Sequence, residues 1–387
     1  MKYDFNTVYD RRQGSKKWNA VKDFNEIIVP FSVADMEFIT APEIREELSN
    51  YVKNSLLGYT TYTDEYLDEV VKWQKNMHDI NIDKSYIVST PGVVTAIYHL
   101  LLALTEENDG VIIFPPVYNP FKFSIDATKR KTVNCPLINE EGYYTIDFNL
   151  FEKLASESEN KALIFCNPHN PVGRVWTKDE LEKVAEIAKK HNLLIICDEI
   201  WSDITVRGYK TYSMFNAASD YLDNTVICTA ASKTFNLAGL QCSNIIIKNK
   251  EKKRLFIAEL EKTHISVNAF GYEGTLAAYR YGKEWMDEML QVIEENYNFA
   301  KDFLEKNFNG VVISPLEGTY VIWADFRFLN MDKEKLETFL KEKAKFYSTE
   351  GYVFGKEGEG FERINIACPK SALKSGLLRL KEAVSKY

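Results

Sequence analysis

Thr229-Ala-Ala-Ser-Lys-Thr-Phe-Asn-Leu-Ala-Gly-Leu240 contains a single lysine, Lys233, which follows the largely apolar run 226–229 and precedes a glycine. The small and hydroxylated residues around this lysine are typical of a pocket at the end of a buried strand. A lysine in such a pocket can lose its proton, because burial disfavours the charged form. The uncharged amine can then form a Schiff base with an aldehyde. Since most isolated lysines are surface loop residues, the rest of the chain must supply the other parts of such a site.

The composition is that of an ordinary globular protein. The 387 residues are enough for two domains and a large core, with 45% hydrophobic and 27% charged residues. The net charge of -8 argues against a nucleic-acid partner, because a phosphate backbone requires a concentrated basic surface. No stretch reaches the roughly 18 apolar residues that span a bilayer. The polar residues 1–6 lack a signal-peptide core, so we expect a cytoplasmic protein with no membrane partner.

The cysteines and histidines show no pattern of a metal site. The six cysteines include no Cys-x-x-Cys pair, and several lie in apolar runs, which favours buried reduced thiols. The five histidines show no His-Glu-x-x-His or other ligand spacing. We therefore predict that the protein binds no metal.

Apolar runs alternate with amphipathic segments between about residues 86 and 248. The runs have almost no polar interruption, which is typical of strands covered by helices on both faces. They predict strands at 86–89, 111–114, 162–166, 193–197, 226–228 and 244–248. Helices are predicted at 93–104 and 177–190, and the second begins with a capping box formed by Thr177 and Glu180. This order indicates a mostly parallel sheet that binds its ligand at the carboxyl ends of its strands.

The pattern changes after about residue 283. A long amphipathic helix at 285–308 is followed by short strands at 311–313, 320–323 and 363–366, a helix at 333–343 and a final helix. We therefore predict a large domain at 46–282 and a smaller α+β domain at 283–387. The N-terminal segment 1–45 is expected to pack with the small domain.

Two turns after predicted strands offer groups for an anion and for an aromatic ring. The free N–H groups of Gly92, Val93 and Val94 would point at an anion from the positive end of the helix that follows. In Pro115-Pro-Val-Tyr-Asn-Pro120, Tyr118 offers a flat surface for stacking.

Two further strand ends carry polar side chains. Asn170 lies in the turn Asn167-Pro-His-Asn-Pro-Val-Gly-Arg174, and its amide can donate to an oxygen. Asp198 ends a strand so apolar that its carboxylate would be costly to bury without a cation. A positively charged ring nitrogen would supply that cation.

Together with Lys233, these turns resemble the fold-type I enzymes that depend on pyridoxal 5'-phosphate (PLP), in their order and approximate separation. The resemblance implies an α/β fold of the aspartate aminotransferase type. In that fold, a mostly parallel seven-stranded sheet is flanked by helices and joined to a smaller α+β domain. The resemblance also implies that PLP is the aldehyde bound by Lys233.

The resemblance implies a role for each of these side chains. Lys233 holds the cofactor and removes the Cα proton, while Asp198 pairs with the ring nitrogen. Tyr118 stacks on the ring, and Asn170 donates to the phenolic oxygen and contacts the substrate. The hydroxyl of Ser232 adds to the anion-binding turn that holds the phosphate.

Two other residues match the family at the substrate side. Arg363, in Glu362-Arg-Ile-Asn-Ile-Ala367, matches the arginine that binds the α-carboxylate of the amino acid through two parallel hydrogen bonds. Gly58-Tyr59-Thr60 resembles the segment that enters the neighbouring subunit's site. The resemblance thus implies a homodimer in which Tyr59 acts in catalysis and substrate binding near the partner's phosphate and lysine.

Three positions depart from the family pattern. Gln241 stands where an arginine often balances the phosphate charge, and Ala230 stands where a serine is common. Trp201 stands where a tyrosine or histidine usually contacts the phenolic oxygen, and its indole can donate but not accept. We expect the phosphate charge to be less directly matched than in the family.

Several of these residues also have ordinary structural interpretations. Asp198 could cap a helix, Tyr118 could be a half-buried loop tyrosine, and Arg363 could be a surface arginine on a short strand. Their order along the chain favours the enzyme site.

The resemblance narrows to the cystathionine β-lyase and cysteine C–S lyase branch of the class-I/II aminotransferase family. The motifs that carry it are Asp10-Arg-Arg12, Lys17-Trp18, Val33-Ala-Asp-Met-Glu-Phe38, Pro91-Gly-Val-Val94, Pro115 to Phe121, Ser232 to Leu240 and Asn268-Ala-Phe-Gly271. Glu37 and Asn19 stand where that branch tends to have aspartate. The implied reaction is β-elimination from L-cystathionine or related cysteine S-conjugates, which yields a thiol, pyruvate and ammonia.

Two alternatives remain open from the sequence. An aminotransferase of broad or aromatic specificity would use the same residues, and a PLP-binding regulatory protein could retain the pocket while it binds another protein. An enzyme that uses a dinucleotide or ATP is disfavoured, because no Gly-x-Gly-x-x-Gly motif follows the first strand and 351–356 is one residue short of a P-loop.

Overall fold

A computed structural model describes residues 1–387. The strands are β1 Ile87–Thr90, β2 Gly110–Ile113, β3 Lys131–Asn134, β4 Ile138–Glu140, β5 Tyr143–Thr145, β6 Asn160–Cys166, β7 Leu194–Asp198, β8 Thr225–Thr229, β9 Ser243–Ile247, β10 Val312–Ile313, β11 Val321–Asp325, β12 Thr349–Glu350 and β13 Phe361–Asn365. The helices are α1 Pro42–Asn54, α2 Asp64–His78, α3 Val93–Leu104, α4 Pro120–Ala127, α5 Phe148–Ser156, α6 Lys178–Lys190, α7 Met214–Ala217, α8 Lys250–Glu261, α9 Ala269–Tyr281, α10 Lys283–Asn307, α11 Lys333–Thr338 and α12 Lys370–Ser385.

The central sheet has seven strands in the order β1-β9-β8-β7-β6-β2-β3. Strands β8, β7, β6, β2 and β3 pair in parallel, and only β9 runs opposite, because it is antiparallel to both β1 and β8. The predicted mostly parallel sheet is therefore confirmed. The carboxyl ends of β1, β2, β6, β7 and β8 meet at one edge, which is where the candidate side chains lie.

The central strands are buried on both faces. Every residue of β2, β7, β8 and β9 is buried. Ile195 and Cys197 of β7 face the larger apolar core, whereas Leu194 and Ile196 face a second apolar core on the other side of the sheet. This alternation explains why the sequence shows continuous apolar runs here instead of alternating polar residues.

The helix predictions hold closely where local signals are strong. The helix predicted at 93–104 has those bounds in α3. Thr177 caps α6. Its side chain accepts from the backbone N–H of Glu180, and the Glu180 carboxylate accepts from the backbone N–H of Thr177, so the predicted capping box is present. Pro42 opens α1 at its first turn, where a missing N–H is not needed.

The C-terminal part forms a second sheet of four antiparallel strands in the order β10-β11-β13-β12. Helices α10 and α12 pack against each other in this part of the chain. The helix predicted at 333–343 differs in detail, because α11 ends at Thr338 and residues 339–343 form a wider π-type turn. In that turn the consecutive residues Phe339 and Leu340 are both buried.

The N-terminal segment is joined to the small sheet by backbone hydrogen bonds. The N–H of Phe31 donates to Tyr347, the N–H of Asn365 donates to Phe31, and the N–H of Glu37 donates to Ala367. The division into 1–45, 46–282 and 283–387 stays a prediction. No helix has both the length and the apolar character that crossing a bilayer requires.

Candidate active site

Ten of the eleven predicted site residues line one cavity of about 290 Å³ at the carboxyl edge of the central sheet. The cavity lies where this sheet meets the N-terminal segment and the small sheet. These ten residues are Gly92, Val93, Val94, Tyr118, Asn170, Asp198, Trp201, Ser232, Lys233 and Arg363.

Lys233 is a half-buried residue whose amine lines the cavity without an acidic partner. Its Nζ donates a 2.7 Å hydrogen bond to the carbonyl oxygen of Ala34 and lies 5.3 Å from the centre of the Trp201 ring. Burial and the nearby cation of Arg363 lower the pKa of Lys233 from its ordinary value to about 8. An appreciable fraction of this amine is therefore uncharged near neutral pH.

Asp198 is a buried carboxyl at the end of β7. One of its oxygens accepts a 3.0 Å hydrogen bond from the N–H of Ile200. Burial raises the pKa of Asp198 to about 7, although that N–H and the charge of Lys233 act in the opposite direction. Its flanking strand neighbours, Cys166 and Cys228, bring no positive charge. A cation placed beside this carboxyl would therefore be strongly favoured.

Arg363 of β13 keeps one hydrogen-bond donor free. Its Nη1 donates to Oδ1 of Asn170 at 3.1 Å, and its Nη2 donates to the carbonyl of Ser32 at 3.1 Å and to the hydroxyl of Thr349 at 3.3 Å. The buried Nε has no partner. Burial lowers the pKa of Arg363 to about 10, so the group stays charged at neutral pH and can bind an anion.

Asn170 uses one end of its side-chain amide to contact Arg363. Because its Oδ1 accepts from Arg363, its NH₂ group remains available to donate into the cavity. The same side chain can thus contact both a phenolic oxygen of a ligand in the cavity and the region next to Arg363.

The opposite end of the cavity suits an anion. Gly92 precedes the first turn of α3 with a φ of 105°, a conformation that residues with side chains rarely adopt. Ser232 and Gln241 line the same cavity, and the Gln241 Oε1 lies 3.9 Å from the position that a Cβ on Gly92 would occupy. No cationic side chain other than Lys233 and Arg363 lines the cavity, so the positive end of α3 supplies the attraction here.

Two aromatic side chains form walls of the cavity. Trp201 is buried and packs edge-on against Tyr320, with ring centres 4.6 Å apart. Tyr118 packs edge-on against Phe121 at 5.6 Å, which fixes one edge of its ring and leaves it in the cavity wall. Their predicted contacts with a cofactor ring stay predictions.

Tyr59 is the one predicted residue that does not join the cavity of its own chain. It is fully exposed, between α1 and α2, next to the exposed Leu56 and Leu57. The sequence assigned it to the neighbouring subunit's site, and that assignment stays a prediction.

Sequence reasoning missed the part of the N-terminal segment that closes the cavity. Val33 and Ala34 line it, and the carbonyl of Ala34 accepts from Lys233. Thr349 of β12 also lines it and contacts Arg363. The motif Val33 to Phe38 resembles a family pattern, but a contact made by a backbone carbonyl carries no signature in residue type.

A partly buried charge cluster explains the N-terminal motifs. Lys17 lies 2.9 Å from Glu37 and 3.6 Å from Asp35, and Arg11 contacts the same two carboxylates at 3.0 and 2.9 Å. The indole of Trp18 donates to Glu37 at 3.1 Å. These contacts fix the backbone next to Asp35 and so hold the adjacent carbonyl that meets the lysine of the cavity.

The site can hold a flat ligand with several distinct groups. An anionic end fits the positive end of α3, a protonated ring nitrogen fits Asp198, and an aldehyde carbon fits Lys233. A second ligand with a carboxylate fits the free N–H of Arg363. The fit rests on the unpaired carboxyl and on the orphaned Nε.

Comparison with known proteins gives similarity along nearly the whole chain. The family model for aminotransferase class I and II matches residues 26–380. The chain is similar to cystathionine beta-lyase PatB of Bacillus subtilis, with 36% identity over 374 residues that cover 96% of this chain and 97% of that protein. The structure of cystalysin from Treponema denticola, which contains a pyridoxal 5'-phosphate cofactor, is 42% identical with a TM-score of 0.98 and covers 100% of both chains. The PLP-bound C-S lyase from Staphylococcus hominis is 32% identical with a TM-score of 0.92, over 99% of this chain and 98% of that one.

Proposed function

Because the chain belongs to the aminotransferase class I and II family, we propose that it cleaves the carbon–sulfur bond of L-cystathionine or related cysteine S-conjugates. The protein is a PLP-dependent enzyme of the C–S lyase branch. Its products are a thiol, pyruvate and ammonia. The observation that carries the proposal is the placement of Lys233, Asp198 and Arg363 around one cavity, each without an ion-pair partner in the chain.

Separate groups of the cavity would hold the parts of PLP. The N–H groups at the start of α3 and the hydroxyl of Ser232 would bind the phosphate, and Tyr118 would stack on the ring. Asp198 would pair with the ring nitrogen, and the NH₂ of Asn170 would donate to the phenolic oxygen. When bound, the cofactor supplies an aldehyde that bonds amines and a protonated ring that accepts electron density from the substrate's Cα.

The protein's own groups then bind the substrate and move its protons. The guanidinium of Arg363 binds the α-carboxylate through its free Nε–H, which orients the Cα–H bond. The uncharged Nζ of Lys233 takes the Cα proton, and its lowered pKa makes this base available near neutral pH.

The same proton transfer balances the loss of sulfur. As the proton leaves Cα for Lys233, the Cβ–S bond breaks and the sulfur leaves with the bonding electron pair. The sulfur then takes up a proton to give the thiol. Water releases the remaining three-carbon fragment as pyruvate and ammonia. Asp198 favours this sequence because its carboxylate, once beside a ring nitrogen, holds that nitrogen's proton in place.

The purified holoenzyme distinguishes this function from transamination. With L-cystathionine it should release thiol and pyruvate in equal amounts. With an amino acid and 2-oxoglutarate it should form little glutamate. Rapid glutamate formation without pyruvate from cystathionine would assign the protein to the aminotransferases instead.

The exposed loop that carries Tyr59 supports a homodimer with shared sites. Leu56 and Tyr59 are exposed there, which is unfavourable unless another surface covers them. Mixing inactive Lys233→Ala chains with Tyr59→Phe chains tests this arrangement, because a mixed dimer would place both changes in one site and leave the other intact. Activity that does not rise above the sum of the two variants would argue that Tyr59 does not act across subunits.

The cytoplasmic location also stays a prediction.

A further inference from the structure

Asp203 is a buried carboxylate that the proposed reaction does not use. Its two oxygens accept from the indole N–H of Trp73 at 3.1 Å, from Nε2 of His78 at 2.7 Å and from the hydroxyl of Thr234 at 2.7 Å. All four side chains are buried. A buried carboxylate with this many donors is held firmly, because each hydrogen bond to a charged group is strong.

The three donors come from two distant parts of the chain. Trp73 and His78 belong to α2, and Thr234 follows Lys233 directly in the turn after β8. Asp203 itself lies in the segment after β7, five residues beyond Asp198. One carboxylate therefore joins the turn that carries the lysine to the segment that carries the ring-nitrogen partner.

The pair of Asp203 and His78 has the properties of a fixed anchor. Burial alone would lower the pKa of His78, but the hydrogen bond and charge of Asp203 raise it above its ordinary value. The ring of Trp73 stacks on Tyr279 with ring centres 4.9 Å apart, which fixes the indole that donates to Asp203. Because Asp203 is buried and hydrogen-bonded to both Trp73 and His78, it can hold its remaining partner, Thr234, in a defined position.

Thr234 is the side-chain connection from the lysine turn to this anchor. Within the turn, the N–H of Phe235 donates to Ala231 and the N–H of Leu237 donates to Ser232, which shape the turn but do not attach it to the sheet. Asn236 ties the other side of the turn to the backbone of Met36. The hydroxyl of Thr234 thus adds a directional hydrogen bond to the packing of Phe235 on Trp73, at 5.6 Å between ring centres, in joining the lysine turn to the large domain.

We propose that Asp203, through the hydroxyl of Thr234, is a positioning residue that sets where the amine of Lys233 lies relative to Asp198 and the substrate. This inference rests on the proposed function, because it assigns Lys233 as the base. Loss of the hydroxyl would let the turn shift while the cavity remained. Small displacements of a catalytic group have large effects on rate.

A set of three threonine variants tests the proposal in the holoenzyme. Thr234→Val removes the hydroxyl and keeps the shape, and Thr234→Ser keeps the hydroxyl. Thr225→Val is the matched control, because Thr225 is equally buried at the opposite end of β8 and its hydroxyl donates to the Tyr221 carbonyl at 3.1 Å. The measurements are kcat and KM for pyruvate release, the midpoint of the pH titration of the cofactor's Schiff-base absorbance, and thermal unfolding.

Thr234→Val should lower kcat roughly ten- to a hundredfold with little change in KM. It should also shift the absorbance midpoint by about half a pH unit or more. Thr225→Val should lose a similar amount of thermal stability but keep both values, and Thr234→Ser should restore both. Equal behaviour of Thr234→Val and Thr225→Val would overturn the proposal.

A second variant covers the case in which Thr234→Val does not fold. Asp203→Asn keeps the volume but loses the charge and one acceptor, so it should change kcat and the absorbance midpoint in the same way. An Asp203→Asn enzyme with both values unchanged would refute the anchor. If the wild type shows the Schiff-base absorbance but no β-elimination, the proposed function fails while the midpoint shift still tests the positioning of Lys233.

Discussion

Two buried regions of this protein hold charged side chains in opposite ways. In the cavity, Lys233, Asp198 and Arg363 have no ion-pair partners. Burial disfavours the charged form of each, so it lowers the pKa of Lys233 and Arg363 and raises that of Asp198. In the network around Arg174, Nε contacts Glu317 at 2.9 Å and Nη2 contacts Glu180 at 3.0 Å.

The charges in the Arg174 network are matched within the chain. Burial alone would lower the pKa of Arg174, but the carboxylates of Glu317 and Glu180 raise it above its ordinary value. Burial by itself therefore does not mark the active site. What distinguishes the active site is a buried charged group with no partner in the chain. A ligand must then supply the opposite charge.

The largest expected effect is the loss of the unpaired amine. Lys233→Ala removes the amine that we propose both bonds the cofactor and acts as the base, so pyruvate release from cystathionine should fall on the order of 10³-fold or more. The Schiff-base absorbance should be absent from the purified variant. Lys262→Ala, which removes an exposed lysine paired with Glu259, is the control and should keep both. Normal turnover in Lys233→Ala would contradict the assignment.

A change in the paired region should affect stability instead of chemistry. Arg174→Met leaves Glu317 buried without its cation, so the free energy of unfolding should fall by about 3–5 kcal/mol. Denaturant unfolding measures this, and kcat per folded molecule should be retained because Arg174 does not line the cavity. Arg254→Met breaks the exposed pair with Glu251 and should change the unfolding midpoint little. A large fall in kcat for folded Arg174→Met would erase the distinction between the two regions.

A conservative change at the substrate side should affect binding. Arg363→Lys keeps a positive charge but loses the forked donors, which should cost about 1.5–3 kcal/mol of transition-state stabilisation. The value of kcat/KM should therefore fall roughly ten- to a hundredfold. Most of the change should appear in KM for the amino acid. Arg327→Lys, at an exposed arginine paired with Asp325, serves as the control. An unchanged KM would show that the carboxylate binds elsewhere.

The smallest effect concerns the pH dependence of the apoprotein. Burial raises the pKa of Asp198 to about 7, so the folded state holds this proton more tightly than the unfolded state does. The stability contributed by the protonated group is complete below about pH 4 and is lost as the pH rises through about 7. Asp198→Asn does not titrate, so its stability advantage over the wild type should grow by about 2.5 kcal/mol between pH 5 and pH 8. Thermal unfolding at both pH values measures it, and a constant difference would mean that Asp198 is paired in the apoprotein.

Local signals in the sequence were sufficient for most of the fold. The helix at 93–104 was predicted with the bounds of α3, because its apolar period and the glycine before it are both local. Strand ends differed by a residue or two, as in β7, where 193–197 was predicted and Leu194–Asp198 is observed. The ends of a strand depend on pairing with neighbours, which a single stretch does not contain.

The sequence by itself determined the parallel sheet and the chemical groups at its strand ends, because strand periodicity and residue type are properties of short stretches. It also indicated the cofactor through the order of Lys233, Asp198 and Asn170 in the chain. Only the tertiary structure brought the carbonyl of Ala34 to Lys233 across 199 positions and linked Thr234 to Asp203. Such contacts depend on where distant backbone segments meet, and the residue types involved are compatible with many other arrangements.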